Sequence, residues 1–352
     1  MIIVRADAGP EIGVGHIMRC LSVADVLKKQ EEIVFFSANE YARRIVNDRG
    51  FECFVLGTDY RNMQEEVGVL KETDYYKKSC SIVVDSYYVT DDYFKEIREN
   101  KKLVYFDDYM EQAYSTDAII NYNIFADIEK YKEIYRNISK ATKFILGPMY
   151  APLRKEFSGR KQITVEDKVS NVLILAGGAD PCHVEKGLTD VIKEECSGKE
   201  RTGIQYHFVV GALSEDYDYL REAECAFPSV IKLYRDVKDM RSLMQQSDMA
   251  VSAAGSTLYE LCACGVPTIT YVSADNQKKA ENAFVYQKLM LSAGDAREGN
   301  NFFLRLSKCI KELASDVSLR RVLADRGAQI VDGKGATRIS NEIIKVLRNV
   351  SY

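Results

Sequence analysis

Apolar residues run along this chain in short blocks separated by amphipathic stretches. In the first half, Ile2–Arg5, Glu32–Ser37, Cys53–Leu56, Ser81–Asp85, Leu103–Phe106 and Ala118–Asn121 have the length and apolar character of strands. Between them, His16–Lys29, Tyr41–Arg49 and Asp92–Asn100 read as helices, and Ile17, Leu21, Ala24 and Leu27 fall on one helical face. This alternation predicts a parallel sheet covered on both sides.

The stretch Arg154–Ser170 is polar and lacks a long apolar repeat. Alternation then restarts. Asn171–Leu175, Tyr206–Val210, Val230–Leu233, Met249–Ser252 and Thr268–Val272 read as strands. His183–Glu194, Asp236–Gln246, Ser256–Ala263, Gln277–Leu289, Phe302–Leu313 and Thr337–Leu347 read as helices. The expected organisation is a first α/β domain over 1–155, a linker over 156–170 and a second α/β domain over 171–352. The last helix is free to cross back to the first domain. Two such halves imply a cleft between them, and open α/β sheets bind ligands at the carboxyl ends of their strands.

Bulk properties narrow the classes. The chain has 352 residues, 46% of them hydrophobic, enough for two cores. Its 48 basic and 52 acidic residues give a net charge of −4, which argues against nucleic acid as a partner. Nine cysteines are scattered, and Cys262 and Cys264 lie too close in sequence for the usual zinc spacing. Reduced thiols in a cytoplasmic protein are expected, with no metal. Ile2–Val4 is too short for a signal peptide, and no run approaches the roughly 20 apolar residues of a membrane span.

Four stretches can carry chemistry. Gly13-Val14-Gly15-His16 follows the first strand and opens a helix. Glycines permit the turn, the helix start offers free N–H groups, and an imidazole there can take a proton from water or an alcohol. Arg19, one turn on, is either a surface charge or a phosphate contact. Ala176-Gly177-Gly178-Ala179-Asp180 also follows a strand and suits a pyrophosphate. Ser252-Ala253-Ala254-Gly255-Ser256-Thr257-Leu258-Tyr259-Glu260 ends a strand in small residues, with a carboxylate one turn in that can accept ribose hydroxyls. The fourth set is polar residues at strand ends of the first half: Asp7, Asp85-Ser86-Tyr87, Asp107-Asp108, Asn121 and Asn123. They share one rim with His16 if the sheet is parallel; acids there can orient the imidazole or a water, and Tyr and Asn can hold sugar hydroxyls and N-acyl groups. Neither GxGxxG nor a Walker sequence is present, which demotes nicotinamide and P-loop chemistry.

The motifs RADAGPEIGVGHIMRCLSVADVL, VVDSYYV, YFDDY, INYNIFA and GPMYAPLRKEF, followed by ILAGGADP, SAAGSTLYELCACGVPTITY and DGKGATRIS, resemble the UDP-2,4-diacetamido-2,4,6-trideoxy-β-L-altropyranose hydrolases of the pseudaminic acid pathway. The second half is also similar to the transferase that adds N-acetylglucosamine to the lipid-linked peptidoglycan precursor. The resemblance implies two Rossmann-like domains in the glycosyltransferase-B fold. UDP would be held by the second domain, with chemistry at the first. It implies water-driven, inverting cleavage of the C1–O bond, releasing UDP and the free sugar for nonulosonic acid synthesis and surface glycan modification, without metal or cofactor.

On this resemblance the family's histidine falls on His16, the base, and its tyrosine on Tyr87; the strand-end and glycine-turn reading adds Asp7 as a further catalytic residue and places Gly13, Gly15, Arg19, Asn121 and Asn123 along the sugar. Gly177, Gly178, Gly255, Ser256, Thr257, Glu260, Gln277 and Asn282 contact UDP. Members of that family often carry a histidine between the aspartate and tyrosine where this chain has Ser86, so a role for it is lost here. A monomer with a UDP-sugar substrate is expected. The rival readings are a UDP-sugar-dependent glycosyltransferase and a non-catalytic nucleotide-sugar binding protein.

Overall fold

A computed structural model describes residues 1–138, 141–159, 164–197 and 203–348. Residues 160–163 of the expected linker lie outside the described residues. The chain divides into two units, Met1–Lys155 with the segment from Gly333, and Glu156–Asp332.

In the first unit, the strands are β1 (Ile2–Ala6), β2 (Ile33–Ser37), β3 (Glu52–Val55), β4 (Ser81–Asp85), β5 (Lys102–Phe106), β6 (Ala118–Asn121) and β7 (Lys143–Leu146). They form one sheet in the order β3-β2-β1-β4-β5-β6-β7. Every neighbouring pair is parallel. Such a sheet needs cover on both faces, which explains why β1, β2 and β4 are buried along their whole length. The cover comes from α1 (Gly15–Leu27), α2 (Tyr41–Asn47), α3 (Glu66–Glu72), α4 (Asp74–Lys78), α5 (Asp91–Arg98) and α6 (Ile128–Ile134). Ile3, Val34, Phe36, Ile82 and Val84 pack against Tyr93, Phe94 and Ile97 in the core on one side. The strand order reverses between β1 and β4, so the loops leaving these two strands flank a switch point.

The second unit contains β8 (Asn171–Leu175), β9 (Gln205–Val209), β10 (Ile231–Tyr234), β11 (Met249–Ala253), β12 (Thr268–Val272) and β13 (Leu291–Asp295). Their order is β10-β9-β8-β11-β12-β13, again all parallel. Its helices are α7 (Val184–Ser197), α8 (Tyr217–Ala226), α9 (Met240–Gln245), α10 (Thr257–Cys264), α11 (Lys278–Tyr286), α12 (Asn300–Ser315) and α13 (Val317–Ile330). The switch point here lies between β8 and β11. The polar stretch after Arg154 is fastened to this unit by two arginines. Arg241 donates to the carbonyls of Glu156 at 2.6 Å and Ser158 at 2.9 Å. Buried Arg320 donates to those of Glu166 at 2.8 Å and Asp167 at 2.9 Å.

The last helix, α14 (Gly335–Leu347), belongs to the first unit. It buries Ala336, Ile339, Ile343 and Ile344, and its Ser340 hydroxyl donates to the Val23 carbonyl of α1 at 3.1 Å. Among the described residues, no helix is long and apolar enough to cross a membrane.

Candidate functional site

In the first unit, the chain leaves β1 at Ala6 and reaches α1 through a loop closed by a bridge. The Gly9 amide donates to the Gly13 carbonyl at 3.1 Å, and the Gly13 amide returns to Gly9 at 2.8 Å. Gly13 has φ +70°, a conformation that disfavours a side chain. The loop delivers the chain into α1 at Gly15, so His16 lies in the first helical turn.

The His16 side chain is buried and turns toward the end of β4. Its Nδ1 lies 2.5 Å from Oδ1 of Asp85, the last residue of that strand. Burial alone would raise the Asp85 carboxyl, but the Arg19 and His16 charges draw it well below the usual carboxylate range. An ionised Asp85 can only accept, so the hydrogen-bond network assigns the shared proton to Nδ1. Arg19 Nη2 also lies 3.3 Å from Nδ1; because a guanidinium only donates, this is a contact and not a bond. Among the described residues no hydrogen bond reaches Nε2. In the neutral ring, a proton on Nδ1 places the lone pair on Nε2, which is the form a general base needs.

Tyr87 follows Asp85 by two residues and meets the imidazole edge-on, with centroids 4.4 Å apart and planes at 78°. Tyr109 packs on Tyr87 at 5.1 Å. Both tyrosines are exposed, at 41% and 38%, and form an aromatic lip beside the buried imidazole.

The remaining expected residues of the first unit divide into two groups. Asp7 does not reach His16. Its Oδ2 accepts from Arg5 at 2.6 Å, and its Oδ1 from Ser37 Oγ at 3.1 Å and the Ala38 amide at 2.7 Å. It anchors the start of the histidine loop, and the acid on the imidazole is Asp85. Asn121 is likewise internal; it donates to the Tyr131 hydroxyl at 3.0 Å and accepts from the Asn123 amide at 3.0 Å. Asp107 accepts from the Tyr131 hydroxyl at 2.8 Å and caps its own turn. Asn123 and Arg19 stay near the histidine through Asp108. Asn123 Nδ2 donates to Asp108 at 2.8 Å, and Arg19 grips both Asp85 and Asp108. Tyr122, which the sequence did not single out, accepts from Arg19 at 3.2 Å. Nothing in its local pattern separates it from an ordinary strand-end aromatic.

In the second unit, the turns after β8 and β11 stand side by side, because these strands are paired from Met249–Val172 to Ser252–Leu175. Gly177, at φ +85°, and Gly178 form an exposed tip after β8. Gly211 supports this tip from below: a Cβ there would fall inside van der Waals distance of the Gly177 and Gly178 carbonyl oxygens. The Leu213 amide also donates to the Gly178 carbonyl at 3.0 Å. Asp180 caps α7 through the amides of Val184 at 3.0 Å and Glu185 at 2.8 Å.

After β11, exposed Gly255 and Ser256 lead into α10 with no side-chain cap, and Glu260 lies in its first turn. Thr257 opens the helix. Uncapped amides at a helix start favour an anion. Gln277 belongs to the next strand end, where its Oε1 accepts from the Ser273 amide at 2.8 Å and hydroxyl at 3.1 Å. Asn282 is exposed on α11. Among the described residues, no three His, Cys, Asp or Glu side chains are grouped so as to hold a metal ion.

No family model matches the chain. It is 26% identical over 341 residues to the spore coat polysaccharide biosynthesis protein SpsG of Bacillus subtilis, covering 95% of each chain. It is 26% identical over 309 residues to the uncharacterized protein MJ1062 of Methanocaldococcus jannaschii, covering 85% of this chain and only 61% of that protein. The hydrolase name expected from the motifs is carried by a relative in Campylobacter jejuni, the UDP-2,4-diacetamido-2,4,6-trideoxy-beta-L-altropyranose hydrolase. That protein is 24% identical over 263 residues, covering 74% of this chain and 86% of its own. Among solved structures, Acinetobacter baumannii MurG superposes with a TM-score of 0.67 at 13% identity, covering 98% of this chain and 99% of its own. An S. aureus MnaA–UDP co-structure gives 0.64 at 11% identity, covering 100% and 98%. The fold is therefore of the glycosyltransferase-B type, as the strand–helix alternation and the motifs led one to expect.

Proposed function

We propose that the chain hydrolyses a UDP-activated diacetamido-trideoxyhexose at the anomeric C1–O bond. The reading is carried by one observation: His16 is held through Nδ1 by Asp85 at a strand switch point, a pairing that in the neutral ring turns Nε2 into the proton acceptor. The hydrolase name of the Campylobacter jejuni relative supports the substrate class.

In this reading UDP lies on the second unit, its pyrophosphate against Gly177, Gly178 and the start of α10 at Gly255, Ser256 and Thr257. Glu260 takes the ribose hydroxyls, and Gln277 and Asn282 border the nucleotide. As the C1–O bond breaks, charge grows on the β-phosphate and the amides of Ser256 and Thr257 at the start of α10 stabilise it. The sugar carbon becomes oxocarbenium-like. His16 takes a proton from a water on the opposite face, which inverts the centre, and UDP leaves. Asp85 orients the base, Tyr87 borders the reacting ring, and Asp7 holds the loop. No step calls for a metal. The product is the free sugar, released for nonulosonic acid synthesis, and a cytoplasmic monomer suffices for the reaction.

His16→Gln tests this. Turnover should fall by about 10²–10⁴-fold, the usual range for a general base, while UDP affinity stays within about twofold. Full activity in that variant overturns the proposal. A Sorangium cellulosum relative named as a UDP-N-acetylglucosamine transferase, 26% identical over 227 residues, supports a transferase as the second reading. UDP release from the UDP-sugar without any acceptor favours hydrolysis, and release only on adding an acceptor favours transfer.

A further inference from the structure

We infer that Arg19 is a positioning residue that fixes His16 through Asp85, and not a ligand of the substrate's phosphates. Its catalytic meaning rests on the reading of His16 as the base; its geometry does not.

A guanidinium has five N–H donors in a fixed fork. All five are taken. Nε donates to Asp85 Oδ2 at 2.6 Å. Nη2 donates to Asp85 Oδ1 at 2.5 Å and Asp108 Oδ2 at 2.8 Å. Nη1 donates to Asp108 Oδ1 at 3.1 Å and the Tyr122 hydroxyl at 3.2 Å. The faces of the group are covered too, by the Phe106 ring at 5.1 Å and the Tyr122 ring at 5.5 Å. A phosphate could bind Arg19 only by displacing a carboxylate from a doubly forked pair.

The same bonds set the histidine. Asp85 Oδ1 accepts from both Arg19 and His16, so the two-pronged grip on Asp85 fixes the plane of the carboxylate and aims Oδ1 at Nδ1. Burial opposes the Arg19 charge, yet Asp108 and Asp85 more than offset it. Asp108 is itself steadied by Asn123, whose Nδ2 also meets Asn121 Oδ1 at 3.0 Å. The chain of contact Asn123–Asp108–Arg19–Asp85–His16 thus crosses the ends of β6, β5 and β4 to reach α1. Without Arg19, the Asp85 carboxylate is free to turn, and the imidazole loses the partner that selects its Nδ1–H tautomer.

Imidazole NMR is the test, and three histidines keep the spectrum simple. Long-range ¹H–¹⁵N correlation reports which ring nitrogen carries the proton, and the loss of one signal set in His16→Gln assigns His16. The wild type should show the Nδ1–H form. Arg19→Met should show mixed tautomers and a kcat lower by about 10–100-fold, the loss seen when outer partners of metal-bound imidazoles are removed. KM for the UDP-sugar and the affinity for UDP should stay within about twofold. Arg19→Lys keeps the charge without the fork and should lie between the two; it supplies the same readouts should Arg19→Met fail to fold. An unchanged imidazole pattern with tenfold weaker UDP or UDP-sugar binding overturns the inference and makes Arg19 a phosphate ligand. A changed pattern in a protein whose wild type hydrolyses no UDP-sugar supports the positioning role and removes His16 as the base.

Discussion

Arg5 and Glu66 meet in a two-pronged ion pair, Nε to Oε1 and Nη2 to Oε2 at 2.7 Å each, with neither side chain exposed. The Tyr93 hydroxyl adds a third bond to Glu66 at 2.7 Å, and the remaining arginine nitrogen holds Asp7. Removing Glu66 from this buried pair leaves Arg5 with Asp7 as its remaining counter-ion and two forked bonds unmade. Glu66→Gln should therefore destabilise the first unit by about 3–5 kcal/mol in urea unfolding. A change below about 1 kcal/mol would show that Asp7 alone suffices for Arg5.

Asp85→Asn keeps the shape of the side chain and removes its charge. The amide no longer selects one imidazole tautomer, and Arg19 loses half its neutralisation. Turnover should drop by about 10²–10⁴-fold with UDP binding retained. Steady-state kinetics beside calorimetric UDP titration separates the two effects. Equal losses in both would point to a collapsed fold.

The tip at Gly177 and Gly178 can be moved without touching it. Gly211→Ala drives a methyl group into the two carbonyl oxygens, and overpacking against backbone costs about 1–3 kcal/mol. If the tip holds the pyrophosphate, UDP affinity should weaken by about tenfold, which corresponds to about 1.4 kcal/mol. Gly187→Ala is the control, because its new methyl clashes with the Phe303 ring and not with the backbone of the tip. Unchanged UDP binding in Gly211→Ala would remove the tip from the nucleotide site.

Burial pushes the Glu185 carboxyl up to about 8, from 4.5 in the unfolded chain, and the charges of Asp180 and Asp216 push the same way. Below pH 4.5 both states hold the proton. Between 4.5 and about 8 the unfolded chain releases it and the folded chain keeps it, so stability falls as pH rises through that window and levels off above it. The contribution is about 1.4 kcal/mol per pH unit. Glu185→Gln should remove this decline and stabilise the second unit at neutral pH, as read by chemical unfolding from pH 4 to 9. A wild-type slope that survives in the variant would assign the effect to another group.

How much was legible follows from what each residue needs to know about the rest of the chain. β4, β6, β8 and β12 were readable to the residue, because buried parallel strands are uninterrupted apolar runs between turns. β7 and β13 were not. They close the edges of their sheets, and Leu291–Asp295 includes serine, glycine and aspartate that an edge tolerates. α9 starts at Met240 and not Asp236, because Asp239 accepts from the Ser242 amide and caps the helix there.

The position of His16 was legible from Gly13 and Gly15 after an apolar strand. Its partner was not. Asp7 is near in sequence, whereas Asp85 is 69 residues away and becomes adjacent only because β4 pairs with β1. Arg19 shares a helical face with His16, which the spacing shows. That two acids from other strands take up its charge depends on sheet order, which periodicity does not encode.

The return of α14 to the first unit orders events at the ribosome. Synthesis of this chain lays down β1 and the histidine loop early, then all of 156–332, and only afterwards the helix that covers α1. The second unit can close while the first still lacks its cover. The half bearing the imidazole is thus the last to mature, and nascent chains stalled near residue 332 should expose the α1 face to chaperones.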